Sequence, residues 1–138
     1  MREILFRGKR IEDGQWVEGH YHFANWYLPT SMEIVDRTHH ILQIGRGDAD
    51  KIDPETVGQF TGLTDKNGKK IFEGDVVLYP WNDQDKPERF TIKFKYGQFV
   101  ASPVKENEDY WDFMVGGYSK EMEIIGNIHD NPELLENT

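Results

Sequence analysis

The stretch Gln59–Val77, QFTGLTDKNGKKIFEGDVV, carries two glycine-centred turns, a lysine pair and an acid-glycine-acid triplet. Three readings compete for it. A phosphate loop needs a Lys-Ser/Thr pair and a helix whose N-terminus faces the anion. Here Gly68-Lys69-Lys70 runs into Ile71 and Phe72, which begin a strand. A metal site would pair Glu73 with Asp75, but hard cations want several converging oxygens and no third ligand lies close in sequence. The structural reading accounts for the whole stretch. Asp65-Lys66-Asn67-Gly68 is a tight turn in which Asn-Gly supplies the positive φ values of a hairpin. Gly74 then relaxes the backbone where the chain bends into Asp75–Tyr79.

Outward from this hairpin, short runs rich in Val, Ile and aromatics alternate with Gly, Asn, Asp and Pro, and sustained helical periodicity is nearly absent. Strands are expected at Glu3–Arg7, Trp16–Phe23, His39–Ile44, Val57–Leu63, Lys70–Phe72, Asp75–Tyr79, Glu88–Tyr96, Gln98–Ser102 and Met122–Ile128. Asn131–Glu136 reads as one helical turn with proline at its first position. The polar segment Gly45–Glu55, closed by Pro54, is the best boundary between two halves. Close spacing of short strands argues for barrels or sandwiches rather than βαβ units.

Composition limits the chemistry. The chain of 138 residues has no cysteine, which removes disulfides, thiolate zinc sites and cysteine nucleophiles. The N-terminus lacks an apolar core of signal-peptide length, and no apolar run approaches the ~20 residues that span a bilayer. A soluble cytoplasmic protein, with no membrane contact, is expected. Net charge is −9, with 7 Lys/Arg against 10 Asp/Glu in residues 1–58 and 9 against 15 in residues 59–138. Such a surface repels phosphate backbones, so nucleic acid is disfavoured as a partner.

Other constellations read most simply as architecture. His20 and His22 lie two apart on a strand, on the wetter face with Trp16 and Glu18; with a carboxylate they would make a metal site, but exposed strand histidines are commoner than ligands. His39-His40 and His129 complete the set. Asp48, Asp50 and Asp53 do not fit a calcium loop, because the glycine precedes the acids and Pro54 interrupts. Arg46-Gly47-Asp48 spells an adhesion tripeptide without a partner inside a cell. Ser31, Ser102 and Ser119 lack a nucleophile elbow. No catalytic, cofactor-binding or metal residue is assigned, and no cofactor is expected. The aromatics stand out: Trp16, Trp26, Trp81 and Trp111 with six Tyr and eight Phe exceed what a small core needs. Trp26-Tyr27 and Tyr110-Trp111 lie near loops, where exposed aromatics act as interface anchors.

Glu73-Gly74-Asp75-Val76-Val77 resembles the strand entry of small Src-homology-type barrels. More specifically, REILFRGKRIEDGQWV at the start, VGQFTGLTDKNGKKIFEGDVV in the middle and MEIIGNIHDNPELLE at the end, in order and at suitable spacing, resemble the YopX family of phage and prophage proteins. The resemblance runs from Arg2 to Glu136 and implies a mostly-β fold with small barrel-like units; it carries no site residue across. The expectation is an all-β chain with very little helix. It has an N-terminal β unit over residues 1–56 and a small Src-homology-type barrel over residues 57–138. Its function is expected to be non-enzymatic protein binding, with self-association open. The alternatives are nucleic-acid handling through Lys93, Lys95 and Tyr96, DNA mimicry by the acids beyond Val104, and a metal-dependent enzyme.

Overall fold

β-branched and aromatic residues at alternate positions form strands wherever one face can be buried, and the chain is built almost wholly this way. The computed structural model describes residues 3–27, 34–43, 49–81, 86–105 and 111–136, with the side chains of 24–27 and 34–37 outside that description. The fold is mostly β, as expected. The chain divides into two units, Met1–Gln59 and Phe60–Thr138.

In the first unit, β1 (Phe6–Arg10), β2 (Trp16–Tyr27), β3 (Ile34–Gln43) and the first part of β4 (Ala49–Thr64) pair antiparallel in that order. β4 also pairs with β1, so the pairings close a ring. Val17, Ile41 and Ile52 fill its inner face, with Phe6, Tyr21 and Val57 packed against them. Glu18, His20 and His22 point outward, as the alternation predicts. β1 begins later than the sequence suggests because the β1–β2 turn sets its register: the Arg10 guanidinium binds Asp13 at 2.6 Å, and the Gly14 N–H donates to the Arg10 carbonyl at 2.8 Å. That guanidinium holds the Asp13 carboxyl below the usual range. The polar run ending at Pro54 also differs from expectation, since residues 49–55 are strand. Proline is tolerated in a strand at a bulge, and the β1–β4 register shifts here, with the Lys9 N–H donating to Thr56 Oγ1 at 2.8 Å.

In the second unit, the end of β4 pairs with β5 (Lys70–Phe72). β6 (Asp75–Tyr79), β7 (Glu88–Lys95), β8 (Gln98–Pro103) and β9 (Phe113–Met114) form an antiparallel meander, and β10 (Glu123–Asn127) returns beside β6. A strand that returns to the first of a meander is what the expected barrel requires. Among the described residues, however, the pairings are those of an open sheet ordered β10-β6-β7-β8-β9, and the closed ring lies in the first unit. Ile71, Val77, Phe90, Ile92, Val115 and Met122 lie at the centre of the core. A 3-10 turn at Ser119–Glu121 precedes β10 and another at Pro132–Leu135 follows it.

The turn between β4 and β5 is held by a buried carboxylate. Asp65 is 1% exposed. Its Oδ1 accepts the N–H groups of Asn67 and Lys69, both at 2.9 Å, and its Oδ2 accepts the Ile124 N–H at 3.0 Å. Two backbone bonds reinforce this: Asp65 N–H to the Lys69 carbonyl at 2.8 Å and Lys66 N–H to the Met122 carbonyl at 2.9 Å. Burial pushes the carboxyl up, but the three N–H donors outweigh it and hold it below the usual carboxylate range. The turn is therefore not an Asn-Gly hairpin turn, because Gly68 alone among its residues has positive φ, at 81°. The next turn uses the same device: Asp75 Oδ2 accepts the Phe72 N–H at 2.8 Å, while Gly74, at φ 94°, bonds the Ile92 carbonyl and the Ile128 N–H. At the far end, the Arg89 guanidinium donates to the Leu134 and Glu136 carbonyls, both at 2.8 Å.

Replacing Asp65 by alanine takes the acceptor from three backbone donors and is expected to cost about 2–3 kcal/mol. Asp65→Asn, which keeps one acceptor but turns a donor toward Ile124, should lose about half as much. Urea denaturation at neutral pH checks both.

Candidate protein-interaction surface

β7 and β8 are joined by a two-residue turn, Tyr96-Gly97, with Lys95 opposite Gln98. Both turn residues have positive φ, 54° and 77°, the type I′ geometry that Asn-Gly adopts most readily. A tyrosine in the left-handed region costs about 1 kcal/mol, and Tyr96 is 95% exposed. Neither core packing nor turn preference accounts for it. Phe94, two residues earlier, is 51% exposed, and its ring stands edge-on against core Phe99 at 5.0 Å. The tip thus presents two aromatic rings on a stiff hairpin.

Lys93 and Lys95 share the opposite face of β7. Lys93 is exposed, whereas Lys95 Nζ binds Asp112 Oδ2 at 2.9 Å. Burial raises the Asp112 carboxyl, but Lys95, Ser102 and Lys93 together hold it below its ordinary value.

A second aromatic surface lies elsewhere in the same unit. Trp81 and Phe113 are half-buried with ring centres 5.1 Å apart, and exposed Tyr118 meets Phe113 at 5.3 Å and Tyr79 at 5.8 Å. Burial and the neighbouring Glu121 push the Tyr79 hydroxyl up. An open hollow of about 340 Å³ is lined by Lys66, Leu78, Pro80, Pro87, Glu121 and Glu123; its lysine is bound to Glu123 at 3.1 Å.

The sequence-derived candidates disperse. Asp75 is committed to its turn and Glu73 is half-buried. Asp50 accepts from Gln43 at 2.6 Å and faces Arg10 at 3.5 Å, while Asp53 accepts the Glu55 N–H. Asp48, the Arg46-Gly47-Asp48 triplet, Ser31, Tyr110 and the side chains of Trp26 and Tyr27 lie outside the described residues. Ser102 and Ser119 are buried. Trp16 lies half-buried on the outer face of its unit, with the Arg7 guanidinium 4.7 Å and the Lys9 ammonium 5.5 Å from its ring centre. Trp111 is exposed. Among the described residues no group of three or more His, Asp or Glu could hold a metal, and no helix is long and apolar enough to cross a membrane. His22 pairs with His40 across β2–β3, a partner that neither residue's position in sequence reveals. The tip aromatics were also missed as a pair, because Tyr-Gly is not a recognised hairpin signal.

Two small antiparallel units, the second with turns locked by buried carboxylates, define a mostly-β protein. A family model described as YopX protein matches residues 5–136. The chain belongs to the YopX family. It is 33% identical over 70 residues to an uncharacterised SPbeta prophage-derived protein, YopX, of Bacillus subtilis strain 168; that alignment spans 50% of this chain and 52%, about half, of the relative. The crystal structure of B. subtilis YopX matches with a TM-score of 0.54 at 20% identity, covering 100% of this chain and 99% of that one. Protein EF1440 of Enterococcus faecalis matches with a TM-score of 0.52 at 24% identity, covering 99% and 100%. At these identities the two structures speak to the fold.

The two aromatic surfaces should respond differently to truncation. Trp81→Ala removes ring contacts to Phe90 and Phe113 and is expected to cost about 2–3 kcal/mol. Tyr118→Ala, at an exposed position, should cost about 1 kcal/mol or less. Paired thermal melts of the two variants measure the difference.

Proposed function

We propose that this chain is a phage- or prophage-derived accessory protein of the bacterial cytoplasm that acts by binding another protein, without catalysis of its own, through the Phe94–Tyr96 hairpin tip. One observation carries the reading: a tyrosine is kept at a left-handed turn position, almost wholly exposed, where asparagine or glycine would serve the fold better. Strain retained without structural benefit is a pointer to function. Exposed aromatics on a rigid support are the usual anchors of protein interfaces, giving large contact area for little entropy loss.

Base stacking is the second reading that Tyr96, Phe94 and Lys93 suggest, since single-strand binders place aromatics beside a positive groove. Here Lys95 is neutralised by Asp112 and the chain carries a net −9, so the electrostatic part of nucleic-acid affinity is small.

Tyr96→Asn separates fold from function. It is expected to raise stability by about 1 kcal/mol while abolishing partner capture. Proteins from a bacterial host lysate that are retained by the wild type and by Tyr118→Ala, yet lost from Tyr96→Asn and Phe94→Ser, support the reading. A destabilised Tyr96→Asn, or one that captures the same set, overturns it. Binding of a single-stranded oligonucleotide at low salt that depends on Lys93 and Tyr96 would replace it with the nucleic-acid reading.

A further inference from the structure

The outward face of the first unit brings two histidines together from adjacent strands. His22 on β2 lies directly opposite His40 on β3. Their imidazole rings are 5.6 Å apart, centre to centre, with planes 19° from parallel. Directly opposed residues on an antiparallel pair are the closest cross-strand neighbours a sheet provides. Two imidazoles bound to one tetrahedral ion at the usual Zn–N distance have ring centres about 5 Å apart. The observed centre-to-centre spacing is close to that value.

The two histidines differ in a useful way. His22 is exposed and offers an entry path, while His40 is 3% exposed and held in place. The Thr38 hydroxyl lies 3.3 Å from both Nδ1 and Nε2 of His40. This contact helps hold the ring in one orientation, as outer-shell partners do for most histidine ligands.

We propose that His22 and His40 form a bidentate site for a late first-row divalent cation, with solvent completing the coordination. This is independent of the hairpin-tip reading. It differs from a pairing of His20 with His22, which lie along one strand instead of facing each other across two. Lys51 occupies the next register position beyond His40 on β4 and opposes a cation. The site accordingly selects metals that bind imidazole most strongly, Cu²⁺ ahead of Zn²⁺. A metal binds imidazole only through an unprotonated ring nitrogen, so protons compete with the ion and affinity falls as pH is lowered.

Titration of the full chain with Cu²⁺ alone, followed by electron paramagnetic resonance and calorimetry, tests the site. One tight equivalent with two equatorial imidazole nitrogens is expected. His22→Ala, at an exposed position, should weaken it at least about tenfold and remove one nitrogen from the spectrum, with an unchanged circular dichroism spectrum. His20→Ala should leave affinity within about twofold. No stoichiometric binding, an affinity insensitive to His22→Ala, or a loss caused equally by His20→Ala would each overturn the proposal.

Discussion

A single carboxylate, that of Asp65, joins the second unit's hairpin to its last strand. It takes two N–H groups from its own turn and one from Ile124, 59 residues further along the chain. Turns are normally local, with side chains of Asp or Asn closing on the backbone two residues away. Here the second oxygen reaches outside the turn and makes the hairpin part of the β10 edge. Because burial without these donors would expel the charge, the carboxylate and its three N–H groups stand or fall together. The Asp75 turn and the Arg89 clasp repeat the logic at the start of β6 and after β10. Three of the most polar residues in the unit are thus spent on tying backbone to backbone. Both aspartates of the stretch Gln59–Val77 are therefore committed to backbone donors.

How much of this could be read from the chain depends on where each interaction closes. Alternation along β2 correctly separated Val17 and Tyr21 from Glu18, His20 and His22, because strand periodicity is a property of one segment. Gly68 and Gly74 announced their turns for the same reason. The role of Asp65 was invisible, since its third donor lies in a distant strand, and Asn67 was credited with a conformation that the Asp65 bonds make unnecessary. Pro54 looked like a strand terminator, yet a bulge absorbs it within β4. The two-residue β9 carries too little pattern to be seen at all.

The candidate sites follow the same rule. Four tryptophans drew attention to interfaces, yet Trp16 is covered by Arg7 and Lys9 and Trp81 is part of the core margin. The residue that stands out physically is Tyr96, whose backbone geometry no composition count reports. His22 and His40 are 18 positions apart, and only the β2–β3 register places them face to face. Strand faces were legible in the sequence; partners set by register had to come from the fold.

The dependence of the second unit on Asp65 has a direct signature in acid. A carboxyl held below its unfolded value of about 3.9 contributes stability that is fully present above that value and is lost as pH falls through the folded one. A carbon-detected NMR titration of the Asp65 side chain, read alongside the amide shifts of Asn67, Lys69 and Ile124, measures this without altering the protein. The account requires a midpoint clearly below 3.9, with the three amides moving together at that same midpoint. A carboxyl that titrates at or above the ordinary value, or an Ile124 amide that ignores the event, would contradict it.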